Sequence, residues 1–242
     1  MPCLRIAHRG AAGTRPELTR PAFERALEIG VDMIELDVQL TRDRRLVVLH
    51  DRELGRTVQG TGAVRERTLA ELCALDAGAW FALEYAGTRV PSLDEVLDLT
   101  AGRAALNVEI KSPEPDWETT AQAVIELLTA RRRLDTTIVS SFDMGALRAV
   151  RERSAAARIG VLWHSADLDP MWLLAEGLQA RSVHPQWSLI DVALVTHAHA
   201  HSLEVIAWTA NDPAAIAALA ALGVDGIISD YPERLVSTAD RT

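Results

Sequence analysis

The chain has 242 residues, 48% of them hydrophobic and 24% charged, which is typical of a globular protein and argues against disorder. Its net charge of −9 leaves no basic surplus to neutralise phosphates, so the sequence predicts no nucleic-acid partner. It has no apolar run near the ~20 residues of a membrane span, no signal-peptide core and no CxxC spacing, which predicts a cytoplasmic protein without stable membrane association.

The first predicted elements are a strand and a helix. An apolar run over 4–8 predicts a strand that ends at His8, just before an Arg-Gly pair typical of a loop. A helix is expected over 19–30, opened by Thr19 as a capping residue and by the early Pro21.

The regular pattern is interrupted after the second strand, which is predicted over 33–40. The apolar run 46–49 follows so closely that it indicates an added strand or hairpin and not a separate β/α unit. Residues 52–91 are punctuated by glycines and contain a short predicted helix over 68–75, so we interpret them as an insertion. A helix with a capping box follows over 92–99.

From residue 105 onward, predicted strands and helices alternate without interruption. Such alternation implies a parallel sheet, and eight units in 242 residues favour a closed barrel. The sequence therefore predicts an α/β fold, a (β/α)8 TIM barrel, with residues 1–242 forming a single catalytic domain. The predicted strands are 105–110, 137–141, 158–163, 181–184, 203–209 and 226–229, and the predicted helices are 116–133, 143–154, 169–178, 188–198, 212–222 and a short one from 232.

Polar residues fall at the carboxyl ends of the predicted strands, where barrel enzymes carry their catalytic groups. Glu35 and Asp37 are two residues apart, so on a strand both carboxylates point to one face. Because a buried carboxylate without a partner is costly, either a cation or basic side chains must satisfy them. The same rim carries His8, Arg9, His50, Glu109 and Lys111.

These residue types point to metal and phosphate chemistry. Three carboxylates offer hard oxygen donors, which suit Mg²⁺ or Ca²⁺ better than zinc. They are Glu35, Asp37 and Glu109. His8 and His50 can give and take protons near neutral pH. Arg9 and Lys111 either anchor a phosphate or partly neutralise the acids.

Short motifs spread along the chain match one enzyme family. They are Ala7-His8-Arg9-Gly10, Pro16-Glu17-Leu18-Thr19, Ile34-Glu35-Leu36-Asp37-Val38, His50-Asp51, Gly60-Thr61-Gly62, Asn107-Val108-Glu109-Ile110-Lys111, Ala207-Trp208-Thr209-Ala210-Asn211 and Ser229-Asp230-Tyr231-Pro232. By these motifs the chain resembles the glycerophosphodiester phosphodiesterases of the bacterial type. The resemblance covers essentially the whole chain, including the segment 52–91, and is therefore more specific than a single motif.

The resemblance implies a metal-dependent hydrolase that cuts a glycerophosphodiester into glycerol 3-phosphate and an alcohol. By similarity, Glu35, Asp37 and Glu109 bind the divalent cation, Mg²⁺ or Ca²⁺. His8 and His50 are the implied acid–base pair. In the expected mechanism His50 takes the proton of the glycerol 2-hydroxyl, His8 protonates the departing alcohol, and water opens the resulting cyclic phosphate.

The remaining implied site residues contact the substrate. Arg9 and Lys111 are expected to stabilise charge on the phosphate oxygens. His184 and Trp208 lie at the same rim, and Trp208 either packs against the glycerol or a choline-like cation, or fills the barrel mouth. The preferred alcohol, the choice between Mg²⁺ and Ca²⁺, and the oligomeric state stay open.

The sequence departs from the family pattern at three positions in or near the loops. Leu18 stands where the motif usually has Asn, and Arg44 replaces the usual Gly after Asp43. Pro21 begins a helix where a flexible apolar residue is commoner. Glu17 either supports the site or caps a helix, and the residues alone leave both roles open.

Two other interpretations remain open at the level of sequence. A lysophospholipid or inositol-phosphodiester lipase would share the barrel and the cyclic-phosphate chemistry, and the insertion with Trp80, Phe81 and Tyr85 is the candidate membrane-facing lip. A non-catalytic barrel that binds metal or phosphate would be expected to have lost a histidine or a carboxylate. The three histidines between 197 and 201 lie near a helix end, away from the rim, and we expect surface side chains there.

Overall fold

Nine strands form in the computed structural model, which describes residues 3–111 and 116–235. They are β1 (Leu4–His8), β2 (Met33–Leu40), β3 (Leu46–Val48), β4 (Ala105–Ile110), β5 (Thr137–Ser141), β6 (Arg158–Trp163), β7 (Ser182–Pro185), β8 (Glu204–Ala207) and β9 (Gly226–Ser229). The hydrogen-bonded order is β1-β9-β8-β7-β6-β5-β4-β2-β3, and β1 also pairs with β2. Eight strands are parallel and β3 is antiparallel to β2, so the predicted TIM barrel with an added strand is confirmed.

Helices connect the strands on the outside of the barrel. They are α1 (Arg20–Ile29), α2 (Leu69–Cys73), α3 (Leu93–Leu99), α4 (Trp117–Ala130), α5 (Met144–Arg153), α6 (Asp169–Gly177), α7 (Val192–Ala200) and α8 (Pro213–Leu222). Single 3₁₀ turns occur at Val64–Glu66, Leu83–Tyr85, Leu134–Thr136, Trp187–Leu189 and Pro232–Leu235. Across the described ranges, none of these helices is both long enough and apolar enough to cross a membrane.

One predicted helix cap and one predicted helix start differ from the structure. Thr19 lies at the N-cap position of α1 as predicted, but its side chain makes no capping hydrogen bond, because the hydroxyl donates instead to the carbonyl oxygen of Pro16 at 2.5 Å. The helix predicted over 188–198 begins at Val192, because Trp187–Leu189 forms a separate turn and the carboxylate of Asp191 accepts the N–H of Leu194 at 2.8 Å.

The barrel interior has an apolar layer and a polar layer because side chains alternate along each strand. The apolar layer lies toward the amino ends of the strands and consists of Ile6, Met33, Ile138, Ile206 and Ile228. The next inward positions are polar, and they are buried. They include Glu35, Asn107, Ser140 and His184. A larger apolar cluster packs the outer face of the sheet against the helices. The buried polar side chains therefore lie toward the carboxyl end of the barrel.

The segment predicted as an insertion, 52–91, lies between β3 and α3 and has its own apolar cluster. Leu54, Val58, Val64 and Leu72 are buried there against Val47 of β3. This packing ties the segment to the barrel beside the end of β2. That residues 1–242 form a single catalytic domain stays a prediction.

The departures at Leu18 and Arg44 fall at strained backbone positions. Leu18 has a φ of +57° and Arg44 a φ of +59°, in the left-handed region. Asn and Gly, the usual family residues, adopt this conformation more readily than Leu or Arg. Both turns therefore keep the left-handed shape at the cost of backbone strain. Pro21 lies in the first turn of α1, where its fixed φ suits a helix.

Candidate active site

Three buried carboxylates meet at the mouth of the barrel. Glu35 and Asp37 lie on β2, and Glu109 on β4 is in direct register with Asp37. Each offers an oxygen within 4.8 Å of the others, and their exposed fractions are only 4%, 1% and 7%. The predicted common face of Glu35 and Asp37 is confirmed, and Glu109 lies beside them. The cluster could hold a metal ion.

Two cations flank the carboxylates. Arg9 Nε lies 3.2 Å from Asp37 Oδ2, and Lys111 Nζ lies 2.7 Å from Glu109 Oε1 and 3.4 Å from Asp37 Oδ1. Neither Asp37 oxygen accepts a well-formed hydrogen bond from a described residue, although both are within ion-pair distance. Arg9 has a φ of +52°, and its backbone N–H donates to Glu35 Oε2 at 3.1 Å. This unusual backbone conformation turns Arg9 into the site.

The cations do not balance the negative charge of the cluster. Burial, and then the charges of Asp37 and Glu109, raise the pKa of Glu35 well above its usual value. Burial and the charge of Asp37 raise the pKa of Glu109 to about 8. Burial also opposes ionisation of Asp37, but the charges of Arg9 and Lys111 outweigh it and lower the pKa of this carboxyl. Since three buried carboxylates repel one another, a divalent cation fits the donor set chemically.

His8 is oriented by a carboxylate from the last strand end. Its Nδ1 lies 2.6 Å from Asp230 Oδ1, which accepts the N–H and leaves Nε2 to face the acidic cluster, 3.8 Å from Glu35 Oε2. Asn211 donates to the other oxygen of Asp230 at 2.6 Å. The imidazole is therefore held in one tautomer at the mouth of the barrel.

His50 follows β3 and has a similar arrangement. Its Nδ1–H donates to Asp51 Oδ1 at 2.8 Å, which leaves Nε2 as the free ring nitrogen. Burial lowers the pKa of His50, as do the nearby charges of Arg9 and Lys111, and the opposing charge of Asp37 does not reverse this. The imidazole is thus predominantly neutral at pH 7 and can accept a proton.

Glu17 supports the site, which resolves the alternative left open by the sequence. Its Oε1 accepts hydrogen bonds from Arg9 Nη1 and Arg56 Nη2, each at 2.8 Å. Burial alone would raise the pKa of Glu17, but these two arginines lower it. Glu17 therefore stays ionised beside the guanidinium that reaches Asp37.

Trp208 lies at the rim beside an exposed aromatic side chain. Its indole is edge-on to Phe142, with ring centroids 5.3 Å apart, and Lys111 Nζ lies 5.8 Å from the centre of the Phe142 ring. The Trp208 Nε1–H donates to the backbone oxygen of His184 at 2.6 Å. Phe142 therefore lies between Trp208 and Lys111.

His184 lies deeper than expected. The imidazole has no exposed surface, and its Nε2 lies 2.7 Å from the hydroxyl of Ser182. Its ring fills the space that a side chain on Gly160 would occupy. Burial lowers the pKa of His184 to about 3, so the ring is neutral. No part of the ring is accessible in this structure. A direct contact of His184 with the substrate therefore stays a prediction, and the structure places the ring beneath the surface of the site.

Comparisons with known proteins decide the family. The model of the glycerophosphoryl diester phosphodiesterase family matches residues 8–234. The chain belongs to this family. It is 38% identical over 238 residues to a glycerophosphodiester phosphodiesterase of Caldanaerobacter subterraneus, covering 98% of both chains. It is 33% identical to a glycerophosphodiester phosphodiesterase of Bacillus subtilis, over 95% of this chain and 84% of that one.

Solved structures of similar sequence have the same barrel. A phosphodiesterase of Oleispira antarctica in complex with the product sn-glycerol-3-phosphate matches with a TM-score of 0.91 and 32% identity, covering 97% of this chain and 96% of that one. A glycerophosphodiester phosphodiesterase of Agrobacterium tumefaciens matches with a TM-score of 0.85 and 29% identity, over 97% and 99% of the two chains. As a member of this phosphodiesterase family, the protein is an enzyme that hydrolyses glycerophosphodiesters.

Three contacts at the site, made by Asp230, Phe142 and Arg56, were not predicted from the sequence. Asp230 follows β9 directly, and its contact with His8 depends on the pairing of β9 with β1. Phe142 follows β5 directly, and the strand-end rule could have found it. Arg56 lies in the insertion, where only the flanking glycines gave a signal.

The histidines near residue 200 are surface side chains, as expected. His197 and His201 stack with ring centroids 4.4 Å apart, and His199 pairs with Asp225 at 2.8 Å. In the described part of the chain they do not join a group able to hold a metal.

Proposed function

We propose that the protein hydrolyses glycerophosphodiesters to glycerol 3-phosphate and an alcohol in a reaction that depends on a divalent cation and two histidines. The observation that carries the proposal is the geometry around Asp37. Three buried carboxylates lie between two cations, and the site also has two histidines whose Nδ1–H groups are each held by a carboxylate. The product held by the Oleispira antarctica relative fits this substrate class.

Glu35, Asp37 and Glu109 would hold the cation, and Mg²⁺ or Ca²⁺ suits their hard oxygen donors. The two Asp37 oxygens lack well-formed hydrogen bonds from described residues, which supports this assignment because ligand oxygens need lone pairs to spare. When bound, a divalent cation supplies Lewis-acid polarisation of phosphate and hydroxyl oxygens.

His50 and His8 would exchange the protons. Neutral His50 accepts the proton of the glycerol 2-hydroxyl through Nε2 while that oxygen bonds to phosphorus. The bond between phosphorus and the alcohol oxygen breaks, and His8, acting as an imidazolium whose Nδ1–H stays on Asp230, gives its Nε2 proton to the departing alcohol. Water then opens the cyclic phosphate with the two roles exchanged. Asp51 and Asp230 keep each ring in the tautomer that this sequence of steps requires.

Arg9 and Lys111 would bind the non-bridging phosphate oxygens. A guanidinium has five N–H donors and an ammonium three, so contacts to carboxylates leave donors for the phosphate. Positive charge placed there stabilises the charge that develops on the equatorial oxygens in the transition state.

Trp208 and Phe142 would contact the alcohol portion of the substrate. Phe142 is 39% exposed and lies edge-on to Trp208, which gives an aromatic wall at the mouth. Aromatic faces attract a trimethylammonium group, so choline esters are expected substrates. We place His184 behind this wall as a support, because its carbonyl oxygen accepts the indole N–H.

One observation favours a second substrate class. On the insertion, Trp80 is 44% exposed and Leu83 is 88% exposed, so apolar surface is available for a lipid chain. A lysophospholipase would use such a surface as a lip beside the same catalytic groups. Turnover of lysophosphatidylcholine but not glycerophosphocholine would support this alternative over the main proposal.

The proposal is tested by incubating the purified protein with glycerophosphocholine and Mg²⁺ or Ca²⁺ and measuring glycerol 3-phosphate. Chelation should abolish product formation, and so should His50→Ala, while His201→Ala on the outer surface serves as the matched control. Absence of product with either ion would refute glycerophosphocholine as the substrate. Activity that survives both chelation and His50→Ala would refute the mechanism.

A further inference from the structure

Arg56, from the insertion, holds two carboxylates that lead to different parts of the site. Its Nε and Nη2 lie 2.5 and 3.1 Å from the two oxygens of Asp51. Its Nη2 and Nη1 lie 2.8 and 3.3 Å from the two oxygens of Glu17. One guanidinium therefore makes paired contacts with both acids, which is the geometry that gives Arg–carboxylate pairs their directional strength.

The loop around Arg56 is built to hold it in place. The N–H of Leu54 donates to Gly62 at 3.0 Å and the N–H of Gly55 to Val58 at 2.9 Å, which closes the loop. Gly55 has a φ of +125°, a conformation that other residues rarely adopt. Leu54 and Val58 are buried in the apolar cluster of the insertion on either side of Arg56. The backbone of Arg56 is thus anchored although its side chain is half-exposed.

Each of the two carboxylates also accepts a hydrogen bond from a predicted functional group. The Asp51 oxygen that Arg56 Nη2 contacts also accepts the Nδ1–H of His50. The Glu17 oxygen that Arg56 Nη2 contacts also accepts a hydrogen bond from Arg9. Burial opposes ionisation of Asp51 and Glu17, but the hydrogen bonds of Arg56 lower the pKa of both carboxyls. Both acids therefore remain charged acceptors near neutral pH.

We propose that Arg56 is a positioning residue, which fixes the ring of His50 through Asp51 and the guanidinium of Arg9 through Glu17. This inference rests on the proposed function, in which His50 moves a proton and Arg9 binds phosphate. Loss of the Asp51 contact lowers kcat because His50 Nε2 is no longer held toward the reacting hydroxyl. Loss of the Glu17 contact raises KM. Without Arg56, Glu17 is held by Arg9 alone and no longer fixes the guanidinium that binds phosphate.

The test compares Arg56→Ala with Arg65→Ala in glycerophosphocholine hydrolysis. Arg65 is a similarly exposed arginine of the same insertion, and its Nη1 lies 3.8 Å from Asp116 Oδ2. We expect Arg56→Ala to lower kcat about 10- to 100-fold, the usual cost of removing an outer-shell partner, and Arg65→Ala to match wild type. Millimolar guanidinium should restore much of the lost kcat, and methylammonium at equal ionic strength should not.

Two further variants separate positioning from a general effect on folding. Arg56→Lys keeps the charge without the paired contacts, so it should recover only part of the activity. The double variant Arg56→Ala/Asp51→Asn should lose little more kcat than Asp51→Asn alone, because both changes interrupt one path to His50. Melting curves should show all single variants folded, since a half-exposed ion pair adds little stability.

The possible failures are distinguishable. Inactivity of wild type and Arg65→Ala together would refute the proposed function, and the inference with it. With wild type active, unchanged kcat in Arg56→Ala or full activity in Arg56→Lys would overturn the positioning role. A loss of kcat that guanidinium does not restore, or fully additive losses in the double variant, would overturn it as well.

Discussion

Glu109→Gln is expected to stabilise the metal-free protein near neutral pH. Burial, followed by the charge of Asp37, raises the pKa of Glu109 from 4.5 to about 8. The pKa of Glu109 is higher in the folded protein than in the unfolded chain. At pH values between these two pKa values, folding is therefore accompanied by uptake of a proton. The contribution of Glu109 to stability is therefore fully present below about pH 4.5 and is lost as the pH rises toward about 8.

The size of the effect follows from the pKa values. Each pH unit above 4.5 costs the folded state about 1.4 kcal/mol, so the cost at pH 7 is about 3 kcal/mol. Glutamine removes this cost but weakens the contact with Lys111, now 2.7 Å, by about 1 kcal/mol. The net gain is about 2 kcal/mol, which for a chain of this size raises the melting temperature by about 4–8 °C.

The assay is thermal unfolding in a chelator at pH 5 and pH 7. The melting temperature of wild type should lie further below that of Glu109→Gln at pH 7 than at pH 5. The control is Glu118→Gln, on the exposed face of α4. Added Mg²⁺ or Ca²⁺ should raise the melting temperature of wild type but not of Glu109→Gln. An unchanged or lower melting temperature for Glu109→Gln at pH 7 would refute the reasoning.

Three further predictions concern packing, backbone strain and the substrate. Gly160→Ala should destabilise the protein by about 1–3 kcal/mol in denaturant unfolding, because the new Cβ would lie 2.6 Å from the buried ring of His184. Arg44→Gly should stabilise it by up to about 1 kcal/mol in the same assay, because Arg44 has a φ of +59°. Trp208→Ala should raise KM about 2- to 5-fold more for glycerophosphocholine than for glycerophosphoglycerol, because the cation–π contact is lost. Equal changes for both substrates would contradict the aromatic-wall assignment.

The barrel was predictable because its signals are local. Strand-length apolar runs such as 105–110 alternate with helical spacing, and parallel strands require crossover helices. The side-chain hydrogen bonds at helix ends were less predictable than the helices themselves. Thr19 has the residue type of a helix cap, but its hydroxyl donates to Pro16 instead, and nothing in the sequence distinguishes the two.

The acidic centre was predictable because the spacing of Glu35 and Asp37 fixes a common face. The partner of His8 was not, because Asp230 is 222 positions away and reaches His8 only when β9 closes the barrel against β1. The burial of His184 also escaped prediction, since it depends on the absence of a side chain at Gly160 on the neighbouring strand. Tertiary closure, and not local pattern, determines these contacts.

The side chains of the insertion were the least predictable part of the site. The contacts of Arg56 with Asp51 and Glu17 depend on a loop shape set by Gly55 and by packing of Val58. The sequence around an arginine does not indicate whether its side chain makes such contacts. The departures at Leu18 and Arg44 show the reverse case, in which knowledge of the usual residue, Asn or Gly, indicates a left-handed backbone.

If Glu35, Asp37 and Glu109 hold the cation on which hydrolysis depends, cation binding and activity must rise together. The most direct measurement titrates metal-free protein with Mg²⁺ or Ca²⁺ and follows cation binding by calorimetry and glycerophosphocholine hydrolysis in parallel. We expect activity to rise in proportion to occupancy of one site per chain, and Asp37→Asn to lose both binding and activity. Full activity without the cation, or unchanged cation binding in Asp37→Asn, would contradict the claim.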